Sequence, residues 1–376
     1  MSQWIWQHPH WPEFRYDLAP LAGPLSRNHH LLGQLYRQLQ HFGLDLGLAT
    51  QLDALVDEAM NTSAIEGETC DRQRLRSSLA RRLGLPSGGL PAETPRESGL
   101  AELLLDATGN PAAPLTAERL LGWHAALFPG GYSGLHRIQV AAWRPPAGDP
   151  MQVVSGPVGR ERIHYQAPPA GQVPAEMEQL FAWWESTRPE RANGDFILRS
   201  AIAHYWLVAI HPLEDGNGRI ARALADLALA QGEGVQKRSY SISAAIMERR
   251  NDYYAILDRT SRGDGRLDEW LAWYLEIHAA AVMASLQRID RLSWGARFWQ
   301  RLGAVELNSR QRKVLTRLVE RGPDGFEGGL TRRKYVAMTG AAEATAARDL
   351  AALVAAGVLV ARGRGRSVVY EIHEPE

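Results

Sequence analysis

Residues His211 to Arg222 read His-Pro-Leu-Glu-Asp-Gly-Asn-Gly-Arg-Ile-Ala-Arg, and the fold of the chain turns on how this stretch is understood. It gathers an imidazole, two carboxylates, a Gly-Asn-Gly turn and two guanidiniums. Upstream, Ile197 to Ile210 is an apolar, helix-compatible run. Downstream, Ile220 to Ala230 is rich in Ala and Leu with helical periodicity. The stretch therefore predicts a corner between two helices, with Gly216 to Gly218 opening the second.

Such a corner suits phosphate chemistry. Unpaired amide N–H groups at a helix start, together with the positive end of its dipole, cradle anionic oxygens. Gly216 and Gly218 let a ligand come close to the backbone. Arg219 and Arg222, three residues apart, project from one side of the helix, where their planar forks can clamp polyphosphate oxygens. Asp215, with Glu214 beside it, is placed to hold a hard cation bridging those phosphates. His211, at the other lip, is the natural general base for an attacking hydroxyl.

Each piece alone is ordinary: Gly-Asn-Gly is a turn, a His at a helix end is structural, and Asp beside Arg is a surface ion pair. The ordered combination is not. It resembles the signature of the Fic family, His-x-Phe-x-(Asp/Glu)-Gly-Asn-Gly-Arg-x-x-Arg, with Leu213 standing where the family has Phe.

A second informative stretch lies upstream, Asn61-Thr62-Ser63-Ala64-Ile65-Glu66-Gly67-Glu68. A carboxylate near a helix C-terminus is disfavoured by the dipole unless a cation faces it, so Glu66 calls for a specific Arg partner; the alternative is a solvated surface glutamate. Thr62-x-x-x-Glu66-Gly67 is similar to the inhibitory motif (Ser/Thr)-x-x-x-Glu-(Gly/Asn) of autoinhibited Fic proteins. That resemblance implies that Glu66 pairs with Arg222, from a helix preceding the signature in the same chain.

Length and composition agree with a large soluble protein. At 376 residues, 45% hydrophobic and 22% charged, the chain can bury a sizeable core and should divide into two or three domains. Its formal net charge is zero, so any attraction to nucleic acid or to an anionic membrane must be local. The single cysteine, Cys70, excludes an internal disulfide and fits a reducing cytosol. The start lacks a basic region followed by an apolar run, and no uninterrupted apolar run approaches the ~20 residues that span a bilayer, so a cytoplasmic location is expected.

In chain order, Gln3 to Tyr16 alternates aromatic and polar residues and suggests a short strand or extended arm, with Trp4, Trp6 and Trp11 packing onto their own domain. Ser26 to Gly43, Ala49 to Glu58 and Arg72 to Arg82 read as helices, Pro86 to Pro95 as a loop, and Leu115 to Phe128 as a helix with Thr116 as cap. Gln139 to Gln166 has a hairpin pattern, followed by a helix over Pro174 to Thr187. The resemblance makes this hairpin the flap over the active site, aligned at Ile163, His164, Tyr165 and Gln166, which pairs with the backbone of the target. Ser241 to Leu257 and Leu267 to Leu286 read as helices with a turn between them. Tyr253 and Tyr254 fit helix packing, and equally the Tyr pair that the family places beside adenine. Ser261 stands where the family has a polar residue, often Asn. From Leu307, three helices precede strands at Val358 to Ala361 and Val368 to Ile372 that flank Arg362-Gly363-Arg364-Gly365-Arg366. This order resembles a winged helix-turn-helix, whose basic turn suits phosphate and whose Ala/Leu-rich third helix, Ala342 to Ala355, suits protein equally well.

The expected fold is mainly α: a Fic helical core with a β-hairpin flap, a helical N-terminal region and a C-terminal winged helix-turn-helix. The domains are residues 1–110, with the inhibitory helix at Thr62–Gly67, then the catalytic core at 111–295 and the winged module at 303–376. The resemblance implies an autoinhibited protein adenylyltransferase. It would move AMP from Mg-ATP to a Ser, Thr or Tyr hydroxyl of a target protein and of itself. His211 would be the base, Asp215 the Mg²⁺ ligand, and Gly216, Asn217, Gly218, Arg219, Arg222, Tyr253, Tyr254 and Ser261 the ATP site. Partners are then ATP, an unidentified target protein, and DNA or protein at the C-terminal module, with homodimers known among relatives and no membrane contact. The rival readings are a DNA-binding regulator with a vestigial core, and a Fic enzyme that removes AMP or transfers another phosphate-containing group. Gly218, where the phosphorylating branch has Lys, speaks against phosphate transfer.

Overall fold

The computed structural model describes residues 4–41, 44–86, 89, 91–146, 150–155, 160, 162–234, 238–322 and 325–373. Gln3, residues 42 and 43 of the first expected helix, residues 87, 88 and 90 of the expected loop, and residues 147–149, 156–159 and 161 of the expected hairpin lie outside them. The chain falls into two compact units, Met1–Ser285 and Leu286–Glu376, and its regular structure is mainly α.

The first unit begins with α1 (Leu18–His41), α2 (Leu44–Ile65), α3 (Arg72–Arg82), α4 (Pro95–Gly109) and α5 (Ala117–Leu127). Two antiparallel pairs follow, β1 (Tyr132–Ser133) with β2 (His136–Arg137) and β3 (Gln152–Ser155) with β4 (Arg162–Gln166). Then come α6 (Val173–Ser186), α7 (Phe196–Ile210), α8 (Asn217–Glu233), α9 (Ile242–Glu248), α10 (Arg250–Ser261) and α11 (Asp268–Arg301), whose residues from Leu286 on belong to the second unit. Helix α7 is buried almost all round, its polar residues Arg199, Ser200 and His204 included, and it packs against α8 at the centre of the unit. Asp195 caps α7 by accepting from the N–H groups of Ile197 (2.8 Å) and Leu198 (3.2 Å).

Five expectations change. The N-terminal arm is not a strand: Ile5–Gln7 is a 3-10 turn, because its aromatics dock individually. Trp4 packs edge-to-face on Tyr165, Trp6 Nε1 donates to the Gln166 carbonyl (2.8 Å), and Trp11 Nε1 donates to Glu176 (2.8 Å). Pro95 does not end a loop but begins α4, where Thr94 and Glu97 form a capping box and Pro occupies the first turn. The segment 241–257 is two helices broken at Arg249, and the second runs on to Ser261 through the expected turn. Finally, α2 extends through Thr62 to Ile65, and α11 continues to Arg301.

The second unit holds α12 (Ser309–Arg321), α13 (Arg332–Thr339), α14 (Glu343–Ala355) and the hairpin β5 (Leu359–Arg362) and β6 (Val369–Ile372). Gly340, at φ +68°, makes the tight turn between α13 and α14. Buried Asp349 ties the unit together, accepting from Asn308 Nδ2 (2.9 Å), Arg310 Nε (2.8 Å) and the Tyr335 hydroxyl (3.0 Å).

Candidate functional site

The corner between α7 and α8 is braced from inside. Leu213 is fully buried, and its backbone is gripped by the Asn217 amide: Leu213 N–H donates to Asn217 Oδ1 (2.9 Å) and Asn217 Nδ2 donates to the Leu213 carbonyl (2.9 Å). The Asn217 side chain, grouped with the phosphate ligands on sequence grounds, is therefore spent on the loop. Its backbone N–H, like those of Gly218 and Arg219, precedes the first helical bond, from Ile220 N to Gly216 O (3.0 Å). Gly216 sits at φ +81°, and a Cβ there would meet the Phe128 ring at 2.9 Å, so both backbone and space require glycine.

Arg144 is a residue that sequence reasoning missed. It is buried, donates from Nε to the His211 carbonyl (2.8 Å) and from N to the Pro212 carbonyl (2.8 Å), and reaches the Pro168 carbonyl with Nη2. It stitches the corner to the end of the β3–β4 hairpin. Only its position before a Pro-Pro pair marks it in sequence.

His211 closes α7 in the left-handed region, φ +50°, a conformation that a non-glycine residue holds only when its surroundings fix it. Its Nδ1 lies 3.4 Å from the Val208 carbonyl; the tautomer with the proton there leaves Nε2 as acceptor. Burial pushes its pKa down to about 4, so the ring is neutral at physiological pH. Asp215 is half-exposed at the lip, with Oδ2 accepting from the Ser133 hydroxyl and Oδ1 3.7 Å from Arg219 Nη2; Glu214 accepts from the Gln139 N–H.

The two signature arginines are among the most buried charges in the unit, Arg219 at 4% and Arg222 at 2% exposure. Arg222 donates from Nε to Thr62 Oγ1 (2.7 Å) and from Nη2 to the Thr62 carbonyl (3.0 Å) and to Glu66 Oε1 (2.7 Å). Burial opposes its charge, but Glu66 outweighs burial and holds the guanidinium more firmly protonated than usual. Arg219 donates from Nη1 to Glu68 Oε2 (2.8 Å) and stands over the Phe128 ring. Arg219 Nε and Arg222 Nη1 have no acceptor among the described residues. The expected partnership of Glu66 with Arg222 is thus present as a contact, with Thr62 as a second ligand of the same guanidinium.

Beside the corner lies a cavity of about 520 Å³, lined in part by Glu66, His211, Gly218, Tyr253, Tyr254 and Ser261. Tyr253 is buried, and its hydroxyl meets His204 Nε2 (2.9 Å). Tyr254 is more exposed; its hydroxyl and Arg250 Nε both donate to the carbonyl of Ile65, the last residue of α2 (3.0 and 2.9 Å). Strand β4 carries the expected flap residues. Tyr165 points inward and donates to the Ala209 carbonyl (2.6 Å), while Ile163 is largely exposed and its carbonyl accepts from Arg262 Nη2 (3.1 Å). His164 also lines the cavity, and Gln166 pairs across the hairpin with Gln152.

Comparison with known proteins gives two family matches: residues 4–85 to a domain of unknown function (DUF4172), and residues 114–229 to the Fic/DOC family. The protein adenylyltransferase fic-1 of Caenorhabditis elegans is 42% identical over 72 residues, 19% of this chain and 13% of that protein. The protein adenylyltransferase Fic of Nematostella vectensis is 34% identical over 100 residues, 26% of this chain and 22% of that protein. The chain thus spans less than a quarter of the length of these curated relatives. Among solved structures, a Fic family protein from Desulfovibrio desulfuricans G20 matches with a TM-score of 0.54 at 17% identity, covering 95% of this chain and 97% of that one. A Fic domain containing signaling protein from Bacteroides thetaiotaomicron VPI-5482 matches at 0.50 and 19% identity, covering 69% and 95%. Residues 114–229 are therefore a Fic/DOC domain, set in a mainly α Fic fold.

Proposed function

We propose that this chain is a protein adenylyltransferase that moves AMP from Mg-ATP to a Ser, Thr or Tyr hydroxyl of a target protein, and to itself, and that Glu66 restrains it. The observation that carries the proposal is the pair of buried guanidiniums, each with an N–H still unpaired, at the open first turn of α8 beside a cavity and a neutral imidazole. Buried cations with unmet donors are costly unless an anion serves them, and polyphosphate supplies several anionic oxygens at once. The adenylyltransferase names of the relatives point the same way.

In this scheme the N–H groups of Asn217, Gly218 and Arg219 and the two guanidiniums receive the phosphates, and Arg222 fixes the γ-phosphate. Tyr253, Tyr254 and Ser261 line the end of the cavity that takes the nucleoside. Asp215 would hold a Mg²⁺, which neutralises phosphate charge when bound; with substrate phosphates present, such an ion needs only one or two protein carboxylates. The hydroxyl oxygen attacks the α-phosphorus, its proton passes to His211 Nε2, and the bond to pyrophosphate breaks. The β4 edge at Ile163 to Gln166 presents the target segment. While Glu66 holds Arg222, the γ-phosphate meets a carboxylate in place of its clamp, so ATP settles in a pose unsuited to in-line attack. Residues 303–376 act as a winged helix-turn-helix docking DNA or protein, and the cytoplasm is the place of action.

Mass spectrometry of the Glu66→Gly protein after incubation with Mg-ATP tests the chemistry. The expected result is an added adenylyl group on a hydroxyl side chain, lost in Glu66→Gly/His211→Ala. A phosphate addition, or an adenylyl addition that survives loss of His211, would overturn it.

A further inference from the structure

Glu68 lies just beyond the motif that led to Glu66, yet the structure gives it the corresponding place on the other arginine. Helix α2 ends in a paired turn: Gly67 N–H donates to the Ala64 carbonyl (3.0 Å), Glu68 N–H donates to the Ser63 carbonyl (3.0 Å), and Gly67 stands at φ +79°. This Schellman closure folds the chain back over the helix end. It keeps the carboxylates on either side of Gly67 within reach of α8. There Arg219 and Arg222 are spaced three residues apart on one side of the helix. Glu66 takes Arg222 at 2.7 Å and Glu68 takes Arg219 at 2.8 Å. The same Glu68 oxygen accepts from Arg96 Nη2, at the start of α4, at 2.5 Å.

An exposed ion pair would merit no role. Arg219, however, is 4% exposed, so its charge is withdrawn from water; Glu68 is its close acceptor, with Asp215 farther away at 3.7 Å. Glu68 itself remains partly exposed and is tied from outside by Arg96, whose side chain is also exposed. A carboxylate that reaches a buried cation from a solvent-facing tether is one that an incoming anion can displace.

We infer that Glu68 is a second latch on the anion site: it occupies Arg219 as Glu66 occupies Arg222, and Arg96 steadies it. A polyphosphate must displace both carboxylates, one for each guanidinium, so freeing Glu66 alone leaves the site half neutralised. The inference rests on the assignment of Arg219 and Arg222 to phosphate, and its test is read by binding, apart from AMP transfer.

The full chain and its Glu66→Gln, Glu68→Gln and double variants, checked for folding by circular dichroism, are titrated calorimetrically with inorganic pyrophosphate. Each single change should raise affinity about tenfold and the pair about a hundredfold, the order expected of one charge-assisted hydrogen bond per latch. Arg96→Ala should raise it less than Glu68→Gln, since the carboxylate remains but loses its outer tether; unchanged or weaker binding there would remove Arg96 from the device. If Glu68→Gln binds pyrophosphate like the parent while Glu66→Gln binds it more tightly, Glu68 is no latch. If the double variant binds no more tightly than its Arg219→Ala derivative, the phosphate assignment itself fails, and the latch fails with it.

Discussion

Replacing Glu66 by Gly removes one charged hydrogen bond, and the structure allows its effect to be sized. The pair is short, 2.7 Å, and one-sided: Arg222 is 2% exposed, whereas the Glu66 side chain keeps 31% of its surface. A hydrogen bond to a buried charge contributes about 1.5–3 kcal/mol, and water at Glu66 places this one near the lower end, about 1.5–2 kcal/mol. If Glu66 and the γ-phosphate compete for Arg222, that free energy returns to the nucleotide as roughly 10- to 30-fold tighter binding of Mg-ATP. Self-modification should rise by at least the same factor, because the phosphate also gains its correct orientation. The fold should survive, since Arg222 keeps both bonds to Thr62. Labelled-ATP incorporation and calorimetric titration of parent and variant, at matched folded fraction, are the assays. A folded Glu66→Gly protein that binds ATP no more tightly and labels no faster would refute the competition.

Acid should unfold the first unit early. Burial holds His124 and His211 down to pKa values of about 4, and His204 and His278 down to about 3, all below the ~6.5 of an unfolded chain. The unfolded state therefore takes up these protons first, so the stability is complete above ~pH 6.5 and falls as pH drops toward 4, by up to roughly 1.4 kcal/mol per histidine per pH unit. Urea midpoints at pH 7.5 and 5.5 would reveal the drop, and a constant or rising midpoint would contradict it. In Gly218→Ala, the new methyl would overlap Glu66 Oε1 and lie 3.1 Å from Arg222 Nη1, so the partly exposed Glu66 carboxylate must shift and the ion pair loosen, at a loss of about 1 kcal/mol. The same change in a Glu66→Gly background should be milder, and strictly additive unfolding energies would show that no such crowding exists.

The corner was legible because its instructions are local. An apolar run, a turn with two glycines and a second periodic run specify helix, break and helix without reference to anything distant, and α7 and α8 form where that pattern puts them. What escaped was work done across the chain. Arg144 serves backbone carbonyls, which carry no residue code, so nothing in its neighbours marks it as the stitch holding the corner. Asn217 has the right type for a phosphate ligand, but its amide is spent on Leu213. The start of α4 did carry a local signal, Thr-Pro-x-Glu, which the surrounding Gly/Pro-rich composition obscured. The N-terminal arm alternates like a strand, yet each of its Trp residues finds a separate partner and the backbone bends to let them.

If the proposed restraint operates, it shares its residues with stability. Two guanidiniums exposed by only a few per cent cannot stand unpaired without a penalty of several kcal/mol, so a chain that buries them must supply internal anions whenever no bound anion serves them. Glu66 and Glu68 do this from the end of a helix whose dipole disfavours them, which the two arginines opposite offset. On the proposed reading, the contacts that would restrain the site are thus also contacts that complete the fold around α8. Removing both carboxylates should therefore lower the stability of the empty protein and enlarge the share restored by a bound polyphosphate, since a ligand that binds only the native state stabilises it in proportion to its occupancy. A double variant with undiminished stability in the absence of phosphate would mean that water serves Arg219 and Arg222 as well as the carboxylates do. In that event the two glutamates would be regulatory alone, and the link between restraint and folding would not hold.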